Sequence, residues 1–161
     1  MSLTALNAGR EVSTDNWDMA LDAATSEVFQ MMLNCDLSAL PGSQPAMAEV
    51  TAVIGLAGAI CGVFSLKCSA HAAVLMTAAM LGIPAAEVNH QEMDAVSEVC
   101  NMLAGNFKAK LNGIGDRCML SVPTVVSGAD YRLRTIVNGV SVARGYLFQG
   151  EPMWVSVDVE K

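Results

Sequence analysis

A carboxylate and an amide stand three residues apart in one segment of the chain, at Glu98 and Asn101. Asp94 precedes Glu98 by four residues, and Gly105 follows Asn101 by four. At about 100° per residue in an α-helix, these four positions fall within roughly 60° of one another. An amide can orient a water molecule by hydrogen bonding, and a carboxylate one turn away can hold a cation on a bound partner. This polar stripe is therefore the first candidate for a functional site.

The surrounding segment, from Asn89 to Asn112, has the pattern of an amphipathic helix. Asn89 followed by Glu92 predicts a helix start in which each side chain bonds a free backbone N–H. On spacing alone, a polar face of this kind is also typical of a merely solvated surface, so both interpretations stay open at this point. Apolar residues recur at helical spacing on the opposite side: Val96, Val99, Cys100, Leu103, Phe107 and Leu111.

Composition excludes several classes of function. The 161 residues carry a formal net charge of −7 with scattered Lys and Arg, which argues against nucleic-acid binding. Hydrophobic residues make up 53% of the chain and charged residues 16%, so little polar sequence is left to cover a monomer, and we expect a homodimer. No window supplies the roughly 18 uninterrupted apolar residues that a membrane-spanning helix needs. We expect a soluble protein with a single domain over residues 1–161.

Five cysteines lie in apolar segments without a C-x-x-C pair, which predicts reduced, buried thiols in a cytoplasmic protein. Cys100 falls on the apolar side of the helix and has no histidine partner, so we do not expect a catalytic thiol. His71 and His90 are the only histidines, and neither has a partner at metal-ligand spacing. We therefore expect no metal and no cofactor on this chain.

The order of the elements predicts an α+β fold, in which an antiparallel sheet carries about three helices. Two more helices are expected, over 17–33 and from Ser69, as the N-cap, to Gly82. Residues 48–68 predict two buried strands joined by a turn around Gly55 and Gly58. After Cys118 the pattern alternates: YRLRTIV and WVSVDVE predict strands, and Asn138-Gly139 predicts a tight hairpin turn. Four methionines are expected to fill the core or an interface: Met31, Met32, Met76 and Met80.

The first helix repeats part of the stripe. EVFQMML, with Glu27 and Gln30, is similar to EVCNMLA, with Glu98 and Asn101. This similarity predicts a degenerate internal duplication. Glu27 and Gln30 are then either a second site or the remnant of one, and a remnant is the preferred interpretation.

The run DAVSEVCNMLAGN, with Asp94, Glu98 and Asn101 spaced D-x-x-x-E-x-x-N, resembles the active helix of the CheC/CheX/FliY family of chemotaxis phosphatases. GLAGAICGVFSLKCSAHAAVLMTAAMLG resembles the hairpin and helix that precede it, and LSVPTVVSG resembles the strand that follows, with Pro123 near the family's downstream proline. The resemblance extends from about Ala48 to the C-terminus. The single complete motif and the chain length match the CheX type.

This resemblance implies a CheC-like fold and a phosphatase that acts on a phosphorylated CheY-like response regulator. It assigns to Asn101 the orientation of the attacking water and to Glu98 a grip on the regulator's lysine. Asp94 and Gly105 would support the same contact. Mg²⁺ is expected on the partner rather than on this chain. The alternatives are a non-catalytic module that binds a receiver domain or another partner, and a structural role like that of the flagellar-switch branch.

Overall fold

The computed structural model describes residues 13–42 and 48–160, which form a seven-stranded antiparallel sheet with three α-helices packed on one face. This confirms the predicted α+β class. Two short 3-10 turns, Ala85–Glu87 and Gly115–Arg117, lie before and after the third helix. The helices are α1 (Trp17–Leu33), α2 (Ala70–Leu81) and α3 (Glu92–Ala109), and the strands are β1 (Ser38–Leu40), β2 (Val50–Gly58), β3 (Gly62–Cys68), β4 (Cys118–Leu120), β5 (Thr124–Ser127), β6 (Gly139–Phe148) and β7 (Glu151–Glu160).

The sheet has the topology of two similar halves. Its strand order is β1-β6-β7-β3-β2-β4, with β5 also paired to β2. Each half has a helix, a short outer strand and a long hairpin, and the short strand of each half pairs with the hairpin of the other half. The halves meet at β3 and β7, where Ser65 faces Ser156 and their hydroxyl oxygens are 2.6 Å apart. The topology agrees with the similarity between α1 and α3.

An aromatic chain fixes α3 in the core. The ring of Phe107 meets Trp17 of α1 edge to face, with centroids 5.5 Å apart, and lies 5.9 Å from Phe64 of β3. Only 1% of Phe107 is exposed. Nearer the start of α3, the thiol of Cys100 lies 3.8 Å from the carbonyl oxygen of Ala52 on β2. These contacts determine which face of α3 is left for solvent.

Polar contacts join α1 to β6. The Arg144 guanidinium donates to both carboxylate oxygens of Asp22, at 3.0 and 2.7 Å, and the Tyr146 hydroxyl donates to the same carboxylate at 2.6 Å. Burial, together with the bond to this carboxylate, raises the pKa of Tyr146. The phenol therefore stays neutral and keeps its role as a donor at ordinary pH.

The helix ends predicted around α2 are correct. The Ser69 hydroxyl accepts a hydrogen bond from the backbone N–H of Ala72 at 3.0 Å, as expected of an N-cap. Gly82 closes the helix in the left-handed conformation with φ 65°, and its N–H bonds the carbonyl of Ala78. The boundaries of α1 are also as predicted.

The predicted turn at Gly55 is wrong, because Gly55 lies inside β2 and the turn occupies residues 59–61. Gly55 is needed for another reason. Its N–H donates to the Ser121 hydroxyl at 2.7 Å, and a Cβ at this position would lie 3.3 Å from that oxygen. The glycine thus permits the close approach of a neighbouring strand rather than a change of chain direction.

The predicted hairpin at Asn138-Gly139 is also wrong. Gly139 begins β6, residues 133–137 belong to no strand of the sheet, and the hairpin turn is formed by Gln149 and Gly150, with φ 48° and 82°. The alternation of YRLRTIV is nevertheless real, since its residues are alternately half-buried and exposed. Tyr131 anchors this segment across the face away from the helices, with its hydroxyl 2.8 Å from that of Thr51. The long pairing of β6 with β7 has overridden the local turn signal.

Two of the four methionines predicted to fill the core or an interface lie at the surface. Met76 is buried and Met80 is half-buried, but Met31 and Met32 on α1 are exposed. For these two, only the interface prediction remains. All five cysteines are free, as expected, but only three of them are buried, since Cys35 is half-buried and Cys61 is exposed.

Candidate functional site

The side chains of the predicted stripe lie together on the outer face of α3. Asp94, Glu98 and Asn101 are exposed, and Gly105 is half-exposed. A Cβ added at Gly105 would meet nothing within 4 Å, so the surface there is open. The opposite face of the helix is buried against the sheet and α1. The apolar periodicity therefore predicts the orientation of the stripe correctly.

The predicted start of α3 is wrong. The helix begins at Glu92 after Gln91, and no side chain caps it. Asn89 lies outside the helix, where its backbone N–H donates to the Gln91 side chain at 3.1 Å. His90 adopts a left-handed conformation with φ 59°, so the chain turns between Asn89 and the helix. The position of the stripe therefore depends on core packing and not on the predicted capping box.

Glu98 and Asn101 have no partner within the described part of the chain. Neither ion pair found there includes Asp94 or Glu98. Like charges four residues apart on a helix cost about 0.2–0.5 kcal/mol. Asp94 is compensated by its place in the first helical turn, but Glu98 is not. A free amide and a free carboxylate are thus presented side by side, at a small cost to the helix.

The corresponding residues of α1 are occupied. The Lys110 ammonium donates to Glu27 at 2.8 Å, and the bond to Lys110, followed by one to Asn106, lowers the pKa of Glu27. The Gln30 amide donates to the Asp36 carboxylate at 2.8 Å. Both side chains of α1 are used to join neighbouring elements. This arrangement favours the interpretation of the pair as a remnant, and it gives Asn106 a role in the contact between α1 and α3.

No thiolate is available beside the stripe. Burial raises the pKa of the Cys100 thiol to about 12, and this thiol points at the backbone of β2. A protonated thiol on the core side of α3 cannot reach a substrate on the outer side. The prediction that Cys100 is not catalytic is consistent with this geometry.

The outer strand next to α3 carries a bulge that the sequence did not reveal. On β2, Leu56 pairs with Leu120 and Val53 with Thr124. Between Gly55 and Val53, β2 has a single residue, whereas the outer strand has two, Val122 and Pro123. The extra residue makes this a β-bulge. Pro123 was the only available signal, because proline cannot donate to a ladder and is tolerated at bulges.

The described residues contain neither a candidate metal site nor a candidate membrane-spanning helix. They contain no group of three or more His, Cys, Asp and Glu side chains that could hold a metal ion. None of the described helices is both long enough and apolar enough to cross a membrane.

The described residues thus combine a helix that presents a carboxylate and an amide to solvent with an antiparallel sheet built from two similar halves. Residues 50–144 match the family model described as "Chemotaxis phosphatase CheX". The chain belongs to this family.

Individual relatives agree with the family assignment. The chain is 31% identical over 88 residues to the CheY-P phosphatase CheX of Thermotoga maritima, a match that covers 54% of this chain and 57% of that protein. The chain thus spans little more than half the length of this curated relative.

Two solved structures share the fold. The chemotaxis protein CheX of Vibrio vulnificus superposes with a TM-score of 0.77 at 23% identity, over 90% of this chain and 99% of that chain. A chain of the CheX–CheY–BeF3–Mg²⁺ complex from Borrelia burgdorferi superposes with a TM-score of 0.70 at 20% identity, over 90% of this chain and 98% of that chain.

Proposed function

We propose that this protein is a phosphatase that hydrolyses the aspartyl phosphate of a phosphorylated CheY-like response regulator, and that it works in the cytoplasm as a homodimer. The observation that carries the proposal is the exposure of Glu98 and Asn101 on one face of α3, without partners among the described residues. The relative from Thermotoga maritima bears the name of this activity, and the complex from Borrelia burgdorferi contains CheX together with CheY.

Asn101 orients the attacking water. An aspartyl phosphate is already an activated acyl phosphate, so hydrolysis requires chiefly that water stands in line with the bond that breaks. The water oxygen bonds to phosphorus, the bond to the aspartate oxygen breaks, and inorganic phosphate and the free carboxylate are released. The amide of Asn101 can accept a hydrogen bond from this water and bears no charge that would repel the phosphate.

Glu98 fixes the position of the partner. It lies three residues before Asn101, about 4.5 Å along the helix axis, on the same outer face. A carboxylate there can accept a charge-assisted hydrogen bond from a lysine beside the phosphorylated aspartate of the regulator. Asp94, a turn earlier, adds negative charge to the same surface and supports the contact.

The remaining charge stabilisation comes from the partner. The regulator would hold Mg²⁺, which would neutralise charge on the phosphoryl group as that group passes from the aspartate to water. This chain contributes the amide, the docking carboxylate and a helix that holds both at a fixed spacing.

The experiment that tests the proposal is the loss of phosphate from a Mg²⁺-loaded, phosphorylated receiver domain in the presence of wild type or the Glu98→Ala variant. We expect wild type to accelerate the loss and Glu98→Ala to raise KM about ten-fold, because one charged contact with the partner is removed. Glu27→Ala is the matched control, since Glu27 has the same side chain but is bonded to Lys110.

The outcome separates catalysis from docking alone. If wild type binds the phosphorylated receiver but leaves its rate of dephosphorylation unchanged, the enzyme proposal is wrong and the protein is a binding module. Equal KM values for the Glu98 and Glu27 variants would remove Glu98 from the contact.

Gly105 offers a test with effects of opposite sign. Replacing it with alanine in a helix interior should raise the free energy of unfolding by about 0.5–1 kcal/mol, because alanine has less conformational freedom than glycine in the unfolded chain and the added methyl clashes with nothing in the folded protein. The same methyl would stand on the docking surface, so we expect KM for the phosphorylated receiver to rise. Urea unfolding and steady-state kinetics measure the two effects. A more stable Gly105→Ala with unchanged KM, followed by an equally unaffected Gly105→Leu, would contradict a role in docking.

A further inference from the structure

The bulge between β4 and β5 holds one apolar side chain out into solvent. Val122 is 84% exposed. The residue before it is anchored to β2 twice: the Ser121 N–H donates to the carbonyl of Gly55 at 2.9 Å, and the Ser121 hydroxyl accepts from the Gly55 N–H at 2.7 Å. The Ser121 hydroxyl also donates to the carbonyl oxygen of Val122 at 3.0 Å. Pro123 restricts the backbone on the other side.

This bulge lies beside the middle of α3. At one end of the helix, Met93 lines a cavity together with Val50 and Ser127. At the other end, the backbone of Gly115, which leads into β4, approaches the carbonyl of Lys108. The helix thus follows the outer strand from the end of β5 to the start of β4, and Asn101, which lies midway between Met93 and Lys108, is level with the bulge.

Asn101 is on the side of the stripe that faces the outer strand. Asn106 faces α1 through its bond to Glu27, whereas Met93 faces β5. Glu98 is eight residues before Asn106, which places it about 80° around the helix from Asn106. Asn101 is eight residues after Met93, which places it about 80° around the helix from Met93. Glu98 is therefore nearer to α1, and Asn101 is nearer to the bulge.

We propose that Val122 is a contact residue for the receiver domain, against which it packs when Asn101 enters the site of the phosphorylated aspartate. This inference rests on the proposed function and extends the contact surface beyond α3. Scattered exposed apolar residues are ordinary, but Val122 is carried by an anchored backbone, so its burial by a partner costs little ordering entropy. Bulges next to active sites are known to redirect side chains in this way.

The test compares Val122→Asp with Met119→Asp. Met119 is 70% exposed on the same outer strand. Because its neighbours Cys118 and Leu120 pack into the core, Met119 points to the face of the sheet away from the helices. Both variants add one negative charge. We expect Val122→Asp to weaken binding of a receiver loaded with Mg²⁺ and beryllium fluoride about ten-fold, and to raise KM equally at an unchanged kcat. Met119→Asp should resemble wild type in both measurements.

Binding and turnover separate the two proposals. If wild type binds the loaded receiver and the two Asp variants bind it equally well, the inference about Val122 is overturned while the phosphatase proposal stands. If wild type binds without accelerating hydrolysis, the phosphatase proposal fails, and a weaker Val122→Asp complex would still assign this residue to the interface. A lower kcat with unchanged KM in Val122→Asp would overturn the contact role.

Discussion

Asn101→Ala should remove about 100-fold of the acceleration of receiver dephosphorylation, the size expected when a reacting water loses its positioning group. The substitution leaves Glu98 in place, so KM should change little. The side chain is exposed and lacks partners among the described residues, so the folded structure should be unaffected. Phosphate release at saturating receiver measures the effect directly.

Two further variants make this result specific. Gln30→Ala removes the corresponding amide of α1, which is bonded to Asp36, and should leave the rate unchanged. Asn101→Asp keeps the shape of the side chain but adds a charge facing the phosphate, so it should be as inactive as Asn101→Ala. A fully active Asn101→Ala would show that another group positions the water.

Phe107→Ala should lower the free energy of unfolding by about 3–5 kcal/mol, the usual cost of truncating a buried phenylalanine. The Phe107 ring contacts Trp17 of α1 and Phe64 of β3. Its loss would therefore leave a cavity where α1 and α3 meet the sheet. Because many domains have a total stability of only about 5–15 kcal/mol, the variant should be close to unfolding at ordinary temperature. Urea denaturation followed by circular dichroism measures the change.

Phe107→Leu provides the control for this prediction. Leucine refills much of the space, so the loss should be clearly smaller than for alanine. If Phe107→Ala loses less than about 1 kcal/mol, the site must collapse around the missing ring, and the aromatic chain would not be the anchor of α3.

The face of α3 that carries the candidate site was predictable, because one helix obeys one period and its apolar residues must face the core. The start of the same helix was not. Asn89 and Glu92 have the types and spacing of a capping box, but the left-handed turn at His90 places Asn89 outside the helix. Capping depends on the dihedral angles of a few residues, which their types and spacing alone do not determine.

Strand pairing was harder to predict from the sequence than the orientation of α3. Asn138-Gly139 has the chemistry of a tight turn, yet β6 pairs with β7 through a turn at Gln149 and Gly150. The bulge at Val122 depends on the register of two segments more than 60 positions apart, 53–56 and 120–124, which no local pattern records. The residues of the candidate site share one helix face and could be predicted from the helix alone, whereas the bulge beside that helix could be seen only once the sheet was known.

The reciprocal pairing of short strands and hairpins has a consequence for how the chain reaches its native state. The hairpin of each half pairs with a short strand of the other half: β1 pairs with β6, and β5 pairs with β2. The arrangement is equivalent to strand exchange between two covalently linked copies. Neither half can close its sheet before the other is present, so the closure entropy of long loops must be overcome before the strands are in place. We therefore expect the described residues to unfold as one cooperative unit despite the repetition. The exposed Glu98 and Asn101 depend for their position on the first half, where Trp17 of α1 and Phe64 of β3 hold α3 through Phe107.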